Sequence, residues 1–151
     1  PLVSVDVKKI KAKSINVHVP PQHILVVDDI QQNIDLISLL LKRHNHTLDI
    51  TRNGVEALAK MKDQTFDLVL MDLQMPILDG YQTTKIIRKL SDKVKANIPI
   101  IALTAFAQTD IKNKTKQYKM NGFMSKPFNP EKLYTLVKSY SKSTEESPQN
   151  K

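Results

Sequence analysis

Short apolar runs alternate with amphipathic stretches five times along the middle of the chain. The runs are Ile24–Val27, Thr47–Thr51, Leu68–Met71, Ile98–Leu103 and Phe123–Met124. Three of them are nearly continuous in apolar residues, as expected of strands buried on both faces. The stretches between and after them predict helices over Gln31–Arg43, Val55–Lys62, Gly80–Leu90, Thr109–Met120 and Pro130–Tyr140. Helical spacing puts Ile34, Ile37 and Leu41 on one face of the first, and Val55, Leu58 and Ala59 on one face of the second. Asn121-Gly122 is expected to supply the left-handed residues that end the fourth helix, and Asn129-Pro130 an N-cap and first-turn proline for the fifth. Strand alternating with helix predicts an α/β domain, a parallel sheet covered by helices, with no segment left for a second domain.

The ends of the chain differ from this middle. Residues 1–22 show no clear period and close on Pro20-Pro21, a pair that disfavours helix, so they read as a leader or interdomain linker. Residues 23–140 form the domain, and residues 141–151, which lack any apolar side chain, read as a disordered tail. The chain has 151 residues and no cysteine, which excludes disulfide scaffolds, thiolate metal sites and cysteine nucleophiles. No apolar run reaches the length of a membrane span, so a cytoplasmic domain without membrane contact is expected. The net charge of +8 divides as +3, +5 and 0 over the leader, domain and tail. Charge spread in this way, with no Trp and few aromatics, argues against direct nucleic-acid binding.

In an open parallel sheet, ligands bind beyond the C-terminal ends of the strands. Those ends hold Asp28-Asp29 after the first run, Asp72 after the third, Thr104 after the fourth and Lys126-Pro127 after the fifth. Taken singly, each has an ordinary reading: turn or cap aspartates, a β-forming threonine, a solvated lysine, a turn proline. Together they point to chemistry. Three carboxylates at one edge repel one another unless a cation joins them, and an oxygen-only set suits Mg²⁺. Lys126 adds a point charge for a phosphoryl oxygen or for Asp72 itself.

The segments LVVDD, LVLMDLQMPILDG, IIALTA and GFMSKPF, in this order and spacing, resemble the receiver domains of two-component response regulators from Ile24 to about Tyr140. The resemblance implies a flavodoxin-like (βα)5 three-layer sandwich whose five-stranded sheet has the order 2-1-3-4-5. It implies that Asp72 is the phosphoacceptor, taking a phosphoryl group from phosphohistidine. Asp29, Asp72 and the backbone carbonyl of Gln74 would ligate Mg²⁺, with Asp28 acting mainly through water. Thr104 and Lys126 would hold the acyl phosphate, Thr104 and Phe123 would form the switch, and Lys126-Pro127 would be a cis peptide. Such a receiver is a switch that catalyses its own phosphorylation and dephosphorylation. Its partners would be a histidine kinase domain or a histidine phosphotransfer protein, and a phosphorylation-dependent dimer stays open.

Other readings weigh less. Aspartate-nucleophile phosphatases need an acid two residues after the nucleophile, where this chain has Gln74. A flavodoxin needs a hydroxyl- and glycine-rich phosphate loop after the first strand, and Asp28-Asp29 would repel phosphate. His44 and His46 are expected to face solvent rather than bind metal. Lys112, Lys114, Lys116 and Lys119 read as a solvated helix face, with docking of an acidic partner as the rival reading. The wording MDLQMPILDG with ALTA resembles receivers fused to the C-terminus of hybrid sensor kinases more than stand-alone regulators, which is compatible with a membrane-anchored parent.

Overall fold

The computed structural model describes residues 19–105 and 109–141. The expectations for the leader and the tail fall almost wholly outside the described residues. Pro21–Ser141 forms one compact unit. Its strands are β1 (His23–Val27), β2 (Thr47–Thr51), β3 (Leu68–Asp72), β4 (Ile100–Thr104) and β5 (Gly122–Ser125). The helices are α1 (Gln31–Lys42), α2 (Gly54–Asp63), α3 (Gly80–Arg88), α4 (Lys93–Ala96), α5 (Thr109–Gln117) and α6 (Pro130–Tyr140). All neighbouring strands pair in parallel, in the order β2-β1-β3-β4-β5. This is the flavodoxin-like α/β fold that the resemblance implies. No helix among the described residues is long and apolar enough to cross a membrane.

The continuous apolar runs serve two cores because successive strand residues point to opposite faces. Leu25, Val27, Val69, Met71, Ile100 and Ala102 pack with Ala57, Met61, Ile87 and Ile111, which places α2, α3 and α5 on one face. Ile24, Val26, Leu68, Leu70, Ile101 and Leu103 pack with Ile37, Leu40, Leu41, Leu133 and Val137 of α1 and α6 on the other. Each fully buried Val, Leu or Ile contributes roughly 1.5–3 kcal/mol relative to exposure, so the central strands anchor the domain.

Several local expectations need correction. On α2 the buried face is Gly54, Ala57 and Met61, whereas Val55 is 55% exposed. The reason is close packing: a Cβ on Gly54 would stand 2.1 Å from Thr83 Oγ1 of α3, so the small residue turns inward. The left-handed residue after α5 is Lys119, with φ 63°, and no glycine has positive φ. Met120 N–H donates to Thr115 O and Lys119 N–H to Lys116 O, the paired bonds of a Schellman end, while Gly122 already belongs to β5. β4 begins at Ile100 rather than Ile98 because Pro99 has no N–H, although its carbonyl accepts from Val69 N–H at 2.9 Å. The short α4 was not foreseen; Asp92 caps it by accepting from Val94 and Lys95 N–H. His46 does not face solvent. It is buried, and its Nδ1 accepts the Gln22 N–H at 2.9 Å, which fixes a neutral ring; burial, with His44 nearby, holds its pKa below the ordinary value.

Arg88 fastens the end of α3 to the α4–β4 and α5–β5 connections. Its Nη1 donates to Ala96 O at 2.8 Å and Ile98 O at 2.7 Å, its Nε to Lys119 O at 2.9 Å and its Nη2 to Asn121 Oδ1 at 3.0 Å. All four acceptors are neutral, and burial lowers the Arg88 pKa. Arg88→Met keeps the stem and strips these carbonyls of their donor, so urea denaturation should show a loss of about 3 kcal/mol. A loss below about 1 kcal/mol, the size of a surface change, would show that the clamp is dispensable.

Candidate functional site

The sheet order brings the ends of β1, β3, β4 and β5 to one edge, and the polar residues singled out in the sequence meet there. Asp28 follows β1, with its backbone N–H bonded to Thr51 O at 3.1 Å and its side chain fully buried. Its Oδ1 accepts from Ile30 N–H at 2.9 Å, and its Oδ2 lies 3.3 Å from Lys126 Nζ. Asp72 closes β3 and is 2% exposed. Its Oδ1 accepts from Gln74 N–H at 3.1 Å, and its Oδ2 also lies 3.3 Å from Lys126 Nζ. One ammonium thus bridges two buried carboxylates. Lys126 is held by its own N–H, which donates to Thr104 O at 2.7 Å, and the Lys126–Pro127 peptide is cis.

Asp29 completes the set. One oxygen from each of Asp28, Asp29 and Asp72 lies within 4.8 Å of the others, and Asp29 Oδ1 is buried with no hydrogen-bond partner. Three carboxylates around one lysine leave the cluster short of positive charge, and a buried unpartnered carboxylate oxygen is costly. A hard divalent cation with oxygen ligands fits both deficits.

Thr104 is buried at the end of β4, opposite Ser125 in the β4–β5 register. Phe123, two residues before Ser125, pairs with Ala102 and packs half-buried against the α2–α3–α5 core. Side-chain alternation therefore directs Thr104 and Phe123 to the same face of the sheet. Gln74 is exposed just after Asp72.

Two contributors escaped the sequence reading. Asn33 in the first turn of α1 has its Nδ2 3.5 Å from Asp28 Oδ1. Gly80 opens α3 so close to β3 that a Cβ would stand 2.3 Å from Asp72 O and 2.9 Å from Leu73 Cα. The glycine in the segment ILDG was the available signal, but only the packing shows what it touches. His44 and His46 stand apart from the site: His44 rests on the Tyr134 ring at 4.1 Å, and His46 is occupied by Gln22.

Residues 24–138 match the family described as response regulator receiver domain. The chain belongs to that family. This receiver is 32% identical over 120 residues to the polar-differentiation response regulator DivK of Brucella anthropi, a match covering 80% of this chain and 96% of that protein. It is 37% identical over 122 residues to hybrid signal transduction histidine kinase I of Dictyostelium discoideum, of which it spans only 7%. The receiver domain of a sensor histidine kinase from Pseudomonas aeruginosa PAO1, solved with magnesium coordinated in its active site cleft, superimposes with a TM-score of 0.72 at 32% identity, covering 80% of this chain and 97% of that one. A chain in the co-crystal of the Saccharomyces cerevisiae phosphotransfer protein Ypd1 with the Ssk1 receiver domain gives 0.75 at 26% identity, covering 83% and 92%.

Burial, reinforced by the Asp28 charge, raises the Asp72 pKa from 3.8 to about 6 against the opposing pull of Gln74 N–H and Lys126. Across that window the folded receiver holds a proton that the unfolded chain releases. The resulting stability is present below pH 3.8 and is lost as the pH rises through about 6. Asp72→Asn should therefore stabilise the metal-free receiver by about 2–3 kcal/mol near neutral pH, with the advantage shrinking toward pH 4. Urea titrations at several pH values check this; a pH-independent difference would mean that the carboxylate is well solvated.

Proposed function

We propose that Asp72 accepts a phosphoryl group from a phosphohistidine, and that this switches a partner surface in a two-component phosphorelay. The observation that carries this reading is the shared ammonium: Lys126 Nζ stands 3.3 Å from the oxygens of both Asp28 and Asp72. Lys126 can thus follow charge from the bare carboxylate to the phosphoryl group. The Asp72 oxygen attacks phosphorus while the nitrogen–phosphorus bond breaks, and the electron pair returns to the imidazole of the donor. Asp29, Asp72 and the Gln74 carbonyl would hold Mg²⁺, with Asp28 contributing mainly through water. When bound, the ion neutralises charge on the phosphoryl oxygens. Thr104 and Lys126 then hold the acyl phosphate, and Gln74, not an acid, follows the nucleophile, which favours a phosphate store over a turnover phosphatase.

The partner would be a histidine phosphotransfer protein, with the chain acting as the receiver of a hybrid sensor histidine kinase. Similarity to such kinases and the Ypd1–Ssk1 likeness support this reading. The DivK match over nearly its full length supports the second, a free single-domain regulator working in the cytoplasm.

Incubation with Mg²⁺ and acetyl phosphate followed by intact-mass measurement should add one phosphoryl group to the wild type and none to Asp72→Ala. A wild type that gains none, or an Asp72→Ala variant that gains as much, removes Asp72 from the role. Phe123→Ala should be labelled like the wild type yet lose most of the phosphorylation-dependent change in partner affinity. An unchanged response would exclude Phe123 from the switch, which rests on movement of Thr104 toward the phosphate and of Phe123 into the space released.

A further inference from the structure

Although the excess is spread over leader and domain, the +5 of the domain itself is unevenly placed. From Asp79 to Met120 there are nine basic residues and three acidic ones, whereas the rest of Pro21–Ser141 carries eight basic and nine acidic. This stretch supplies α3, α4 and α5. α3 and α5 cover the same face of the sheet, since Ile87 and Ile111 enter one core cluster. Tyr81 of α3 and Tyr118, just after α5, bring their ring centres within 4.9 Å, and Lys114 Nζ stands 5.4 Å from the centre of the Tyr81 ring. Lys85 follows Tyr81 by one helical turn and Lys89 follows Lys85 by another, so both run along one side of α3. Lys85, Lys89 and Lys114 are exposed, and none forms an ion pair among the described residues. Two of the three acids in the stretch, Asp79 and Asp92, are occupied as N-caps of α3 and α4.

We propose that the face where α3 and the end of α5 come together, centred on Tyr81 and Tyr118 and edged by Lys85, Lys89 and Lys114, docks an acidic protein segment. Three exposed ammonium groups without counter-ions complement a row of carboxylates, and the half-buried tyrosines offer a rigid apolar floor with little ordering cost. Nucleic acid fits less well. The stretch's one guanidinium, Arg88, points inward onto carbonyl oxygens, so this face presents no planar cation to stack on a base or fork onto a phosphate. A membrane surface also fits less well, because the exposed apolar residue of α3, Ile86, stands about 140° round the helix from Tyr81. This surface belongs to the helical face rather than to the strand ends that carry Asp72, so it serves a contact separate from phosphoryl transfer.

The test is titration of the full ¹⁵N-labelled chain with a decaglutamate peptide. Amide shifts should localise to α3 and α5 around Tyr81, Lys85 and Lys114 and should weaken with added salt. Lys85→Glu with Lys114→Glu should weaken binding by about tenfold or more, whereas Lys112→Glu with Lys116→Glu should change it by less than about twofold. The second pair makes the same change in net charge about 200° round α5 from Lys114. Equal losses in both pairs would reduce the effect to net charge and overturn the proposal. Shifts centred elsewhere, or tighter binding of a single-stranded oligonucleotide or of phosphatidylserine vesicles at this face, would also overturn it. Labelling of the Lys85→Glu, Lys114→Glu variant by acetyl phosphate should match the wild type, which shows the variant folded and keeps this result apart from the fate of the Asp72 reading.

Discussion

Two carboxylates withdrawn from water and joined by one ammonium form the constraint on which the rest of the receiver depends. Removing an ion from water costs several kcal/mol even after relaxation, so Asp28 and Asp72 are tolerable only with Lys126 between them. The topology has to meet that demand across distance. β5 lies two strands from β3, about 10 Å away at ordinary strand spacing. The long stem of Lys126 spans this gap, while the bond from its N–H to Thr104 O fixes where the stem starts. A shorter cation at the end of β5 could not serve both acids.

The apolar strands make this arrangement rigid. Alternate residues of β1, β3 and β4 enter separate cores, so neither face of the sheet can shift without disturbing close packing. Helix contacts then set how near the covering elements come. Gly54 lets α2 approach Thr83 of α3, and Arg88 ties the far end of α3 to three carbonyl groups of its neighbours and to Asn121. The charged edge is thus mounted on a frame that is tightly joined behind it.

The fold was legible because its signal is carried by composition at the strand positions, and the central runs have little alternative but double-sided burial. The strand ends were legible for a related reason: charged residues directly after a buried run can only lie at the sheet edge. What escaped depends on partners far away in sequence. Val55 has the right spacing to be buried on α2, but the helix turns Gly54 inward, where Thr83 comes close, and no local pattern records that. Lys119 adopts the left-handed turn because Met120 and Ile111 must both reach the core, although Asn121-Gly122 has the better intrinsic preference. His46 looked like a surface histidine until the buried Gln22 N–H supplied its partner. Asn33 and Gly80 belong to the site through three-dimensional proximity alone.

Gly80 sets a mechanical boundary condition for the whole domain. With room for no more than a hydrogen between the start of α3 and the Asp72 carbonyl, that helix cannot move closer to the Asp72 backbone. Packing around the Asp72 backbone is therefore uneven: it is closed on the α3 side, whereas two strands away in β5 Phe123 is only half buried.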